Sequence, residues 1–162
     1  MSDALVRTGR KSTIAKARAH ESLMNDALPN AMVPTSDVQQ QFETVQAAVK
    51  SVKDMHVAAC AYALIATTAY GTDPIVLTST KEGDFDPTAL GVLGIFFRHP
   101  DTFLLGLFQV DPHGFARAFR SFRDSLTSRP SVEQLLDKLR LDGQADTVNA
   151  LLAAHRAGAL RL

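Results

Sequence analysis

One run of apolar residues constrains this chain more than any other feature. Val38, Phe42, Val45, Val49, Val52, His56, Ala59, Ala63, Ala66 and Tyr70 follow one another at alternating spacings of four and three. That is the seam of a helix with a heptad period. Ser36 or Asp37 offers a cap at its start, Gln39 or Gln40 lies in the first turn, and Gly71 supplies a left-handed stop. No proline or glycine interrupts the run, so the sequence predicts one rod about 50 Å long. Its two halves predict different surroundings. Up to Asp54 the rod is amphipathic, with Gln39, Glu43, Gln46, Lys50 and Lys53 off the seam, as in a surface or projecting helix. From Met55 onward it is apolar on every side, and such a helix must be covered on every side.

The rest of the chain reads as shorter helices packed around that rod. Asp86-Pro87, His99-Pro100 and Asp111-Pro112 each put a proline at a first helical position behind a capping residue. They predict helices over Pro87–Phe97, Pro100–Gln109 and Pro112–Leu126. Ser131 and Gln134 form a capping box for a helix ending at Leu141, and Gln144–Ala157 completes a helical hairpin. Between rod and first proline, Pro74–Thr80 (PIVLTST) leans towards a strand but has no evident partner in the sequence. The expected fold is all-α, six or seven helices in a bundle around the central helix at 37–70. Residues 36–162 would form a single domain. Residues 1–35 would form an arm, partly flexible or ordered by assembly, with a short helix over Ser12–Met24.

Composition narrows the function classes. A chain of 162 residues that is 46% apolar and 21% charged can bury a real core. Positive and negative charges balance, so net charge names no partner. The single cysteine, Cys60, excludes an internal disulfide framework and fits a reducing, cytoplasmic setting. Phosphate-cradling glycine loops, zinc-protease signatures, nucleophile elbows and dinucleotide fingerprints are all missing. His56 and Cys60 lie one helical turn apart, but an alanine-rich buried helix desolvates both charges of such a pair, which favours an inert cysteine. Glu82, Asp84 and Asp86 lack the spacing of a calcium loop. His99, Asp101, Asp111 and His113 would make a metal site only if the two helix starts met in space.

The best-patterned polar feature lies in Gly114–Leu126. Phe115, Phe119, Phe122 and Leu126 form one stripe on a helix, and Arg117, Arg120 and Arg123 form a ridge beside it. Guanidiniums suit phosphates and partner carboxylates. Arg98 and Arg129 would extend the ridge, and Arg7, Arg10 and Lys11 add a basic arm. The hairpin at 131–157 has a turn about two residues too long for a helix-turn-helix reading head. The expected protein is therefore a non-enzymatic subunit of a larger, coat-like or nucleoprotein assembly, without a cofactor. It would touch other copies of itself or other subunits, and hold an RNA or DNA backbone without reading bases. A protein-only adaptor is the alternative, and a metal- or ligand-binding helical-bundle enzyme the third reading.

Overall fold

A computed structural model describes residues 13–27, 33–67 and 73–162. Its helices are α1 (Ile14–Ala27), α2 (Thr35–Gln40), α3 (Phe42–Val45), α4 (Met55–Ala66), α5 (Pro87–Val92), α6 (Pro100–Val110), α7 (Pro112–Ser125), α8 (Val132–Leu141) and α9 (Ala145–Arg156). Strands β1 (Ile75–Thr78) and β2 (Ile95–Arg98) form a two-stranded sheet. The expected class holds: this is a helical bundle with little sheet.

The single rod does not hold. Helix runs from Thr35 to Gln40 and from Phe42 to Val45, passes through a 3-10 turn at Gln46–Ala48, and resumes only at Met55. The break has a tertiary cause. Val49 bridges Phe85 in antiparallel fashion; Lys50 N–H donates to Asp84 at 2.9 Å, and Asp86 N–H donates to Ala48 at 2.9 Å. Those bonds claim backbone groups that a continuous helix would have used internally. Behind the break, α2 and α3 fold back onto α4. Val45, Ala48 and Val49 are buried in the same cluster as Ala58 and Ala59, whereas Val52, a seam position, is 81% exposed. The first half of the spine is thus a surface segment folded onto α4 and not a projecting arm.

A second correction concerns the run LGVLGIFF. The predicted helix Pro87–Phe97 stops at Val92, and Gly94 turns the chain with a φ of 80° into β2. That left-handed conformation suits glycine. Here is the partner β1 lacked. The strands pair in parallel with Ile75 opposite Ile95, Val76 opposite Phe96, Leu77 opposite Phe97 and Thr78 opposite Arg98.

Four of the expected caps form, whereas Ser36 and Asp37 lie inside α2, which starts behind Pro34 with no side-chain cap. Asp86 accepts from Thr88 N–H at 2.9 Å, His99 Nδ1 from Asp101 N–H at 3.2 Å, and Asp111 from Gly114 N–H at 2.8 Å. Ser131 and Gln134 make the reciprocal box. α1 lies where the short arm helix was expected. The remainder of the arm call, including residues 1–12, lies outside the described residues.

Most of the buried apolar residues fall into two clusters. One joins α2–α5 and the sheet around Val45, Ala58, Leu77, Leu90, Ile95 and Phe97. The other joins α6–α9 around Phe108, Phe119, Leu136, Val148 and Leu151, closed by Leu160 and Leu162 beyond the last helix.

Candidate interaction surfaces

The sheet is unfinished. Ile75 and Leu77 of β1, with Ile95 and Phe97 of β2, face α4 and α5, and of these Leu77, Ile95 and Phe97 are buried. Val76, Thr78, Phe96 and Arg98 face the other way. On that outer face Phe96 is 48% exposed, and together with α6 it forms a groove of about 420 Å³. Pro74, Val76, Phe103, Leu107 and Val110 line it, and Arg98 stands at its margin. All-parallel sheets are ordinarily covered on both faces. This one has a single covered face.

The edge of β1 is open as well. Ser79 N–H donates to Arg98 at 3.3 Å. By the alternation of a parallel ladder, Leu77 and Ile75 turn the same way, towards β2. Val76 and Thr78 therefore direct N–H and C=O outward, where no strand pairs with them among the described residues. A second groove of about 410 Å³ follows that edge, between the whole of β1 and one face of α4. Val57, Cys60 and Leu64 of α4 are half-buried along it, and Ala61 forms part of its floor. Sequence reasoning expected the spine from Met55 onward to be covered on every side. It missed the groove because the apolar count of a segment does not say which neighbour is absent.

The arginine ridge forms as spaced, along one side of α7, but its charges have acceptors inside the chain. Arg120 donates to the carbonyl of Arg161, Arg117 lies 3.9 Å from Asp111, and Arg123 lies 3.2 Å from Asp124. Arg123 and Arg129 come together, with Ser131, around a concavity of about 450 Å³ that Asp124 shares. Arg98 is not brought to the ridge; it sits on β2 and donates to Phe97 at 2.9 Å. Arg7, Arg10 and Lys11 fall outside the described residues. In the phenylalanine stripe Phe119 is buried, while Phe122 is 52% exposed.

His99 and Asp101 stand at the start of α6 and Asp111 and His113 at its end, about 16 Å of helix apart. The two helix starts do not meet. Asp101 has a structural duty instead. Its carboxylate accepts from Asp146 N–H at 2.9 Å, Thr147 N–H at 2.9 Å and the Thr147 hydroxyl at 2.6 Å, so α6 caps α9. Burial pushes this carboxyl up, and the bonds from Thr147 and Asp146 outweigh burial and hold it below the ordinary 3.8. Burial pushes the Cys60 thiol up, away from the thiolate form. Asp54 meets Lys81 at 3.1 Å, and that hydrogen bond lowers its carboxyl. Among the described residues no group of three or more His, Cys, Asp or Glu is placed to hold a metal ion, and no helix is long and apolar enough to cross a membrane.

Comparison with known proteins gives one finding. The family described as the VapC50 C-terminal domain matches residues 100–153. That span runs from the first residue of α6 into α9, nearly the whole of the second cluster. No curated protein and no solved structure gives a match.

Proposed function

We propose that this chain is a non-enzymatic component of a larger protein assembly and that the unfinished sheet is its contact surface. The observation that carries the reading is the outward-facing edge of β1, flanked on both sides by apolar grooves. A strand added there would gain main-chain hydrogen bonds from Val76 and Thr78, and would seat alternate side chains in the two grooves. β1 carries no charge and no proline within Ile75–Thr78, the devices by which edges are commonly blunted.

The arginine ridge ranks below this surface as a contact, because its guanidiniums already have acceptors within the chain.

The test is the native mass of the tagged chain in the cells it comes from, wild type beside Thr78→Pro. Proline removes the outward N–H, and edge strands tolerate it on that side. The wild type should run well above its own mass and the variant should run at it. Wild type and variant both at monomer mass would overturn the reading.

A further inference from the structure

We propose that the strand completing the sheet is β1 of a second copy of this chain, antiparallel to its counterpart across a two-fold axis, in the order β2-β1-β1-β2. The inference rests on the contact surface proposed above and names its occupant.

Two observations point to a second copy, and a third is compatible with it. The groove along the edge needs a strand with apolar residues on both faces, since one face meets α4 and the other continues the Val76 and Phe96 surface. β1 is such a strand, with Ile75 and Leu77 on one face and Val76 on the other. Next, α4 itself lacks cover on Val57, Cys60 and Leu64. A two-fold axis through the joint brings a second α4 to the same side of the sheet, its own half-buried face turned to the first. One operation thus covers both deficits, which is the self-complementarity an isologous interface requires. Ala61 and Cys60 are small enough for two helices over neighbouring strands to reach the usual 8–10 Å separation. Finally, 17 basic against 17 acidic residues leave the chain with no net charge, so two copies meet without long-range repulsion.

Antiparallel pairing of β1 with itself also makes the outer faces contiguous. Val76 and Phe96 of each copy would form one four-stranded surface, and a sheet of that width is far better able to stand than a two-stranded one. Cys60 gains no chemistry from this. It becomes a reporter, because its approach from the groove would be closed.

Light scattering on the purified full chain tests the proposal. The wild type should have twice the 17.5 kDa of one chain. Thr78→Pro and Val76→Lys should each weaken self-association at least about tenfold, a loss of about 1.4 kcal/mol. Far-UV circular dichroism of both variants should match the wild type, and should Thr78→Pro prove unfolded, Val76→Lys decides alone. Phe122→Lys, placed on α7 away from the sheet, should leave the dimer intact. Alkylation of Cys60 should be slower in the wild type than in Val76→Lys. A dimer that persists in folded Val76→Lys overturns the proposal, since copies would then join elsewhere. A monomeric wild type overturns it too. If that same chain nevertheless runs above monomer mass in its cells, a different protein completes the sheet and the broader reading stands. Monomer mass in both settings removes both.

Discussion

The two halves of this molecule leave different kinds of surface open. In the helical half, α6–α9 are tied together at their ends, and what stays open is an apolar groove of about 330 Å³ between helices, lined by Leu107, Phe115, Phe122 and Leu139. Asp101 ties the start of α6 to the start of α9, Arg120 holds the carbonyl of Arg161, and Leu160 and Leu162 seal the cluster. In the sheet half, the core is equally apolar, yet one sheet face, one strand edge and one side of α4 remain half-exposed. The difference is that a groove between helices offers a partner side chains alone, whereas an open strand edge also offers backbone hydrogen bonds. A chain can have a sound interior and still present an interface.

Substitutions can sharpen or break that contrast. The largest effect should come from Ile95→Ala, which empties a fully buried position in the sheet half and should cost about 2–5 kcal/mol. Hydrogen exchange should then quicken in α4, α5 and the strands well before α6–α9; uniform quickening would mean that the halves are one cooperative unit. In the helical half, Asp101→Ala leaves Thr147 N–H and its hydroxyl without their acceptor and should cost about 2–3 kcal/mol. The melting temperature should drop, with α9 exchanging fastest. Gly114→Ala should cost about 1–2 kcal/mol, because a Cβ there would run into the Asp111 carboxylate that caps α7. Thermal melts of the two variants against wild type check both figures.

Acid provides a smaller probe. The folded carboxyl of Asp101 lies below its ordinary value, so its contribution is complete above about pH 5 and is lost as pH falls through the folded value. Wild type should lose stability in that acid window more steeply than Asp101→Asn. Parallel curves would show that Asp101 does not carry the dependence. The smallest effect is expected at the surface pair of Lys81 with Asp54, where Lys81→Ala should leave the melting temperature nearly unchanged.

The local rules were legible in the sequence. Asp86, His99, Asp111 and Ser131 cap the helices their spacing announced, because a cap depends on residues within one turn of it. Long-range facts were not. The heptad seam at Val45, Val49 and Val52 was real as a pattern. It could not reveal that Asp84 and Asp86 would take the backbone bonds of Ala48 and Lys50. β2 was hidden in LGVLGIFF for a related reason: a short, wholly apolar run has no period to separate strand from helix. Once β2 was read as helix, β1 had no partner, and the open edge could not be seen. The arginine ridge shows the limit from the other side. Its spacing was right, but the acceptor of Arg120 sits at Arg161, beyond the reach of any local pattern.

Amide exchange at β1 tests the central claim most directly. If a second copy completes the sheet, the outward N–H groups of Val76 and Thr78 are slow at high protein concentration and quicken on dilution, while Leu77, bonded within the chain, changes far less. Rapid exchange at Val76 and Thr78 at every concentration, beside a slow Leu77, would contradict it.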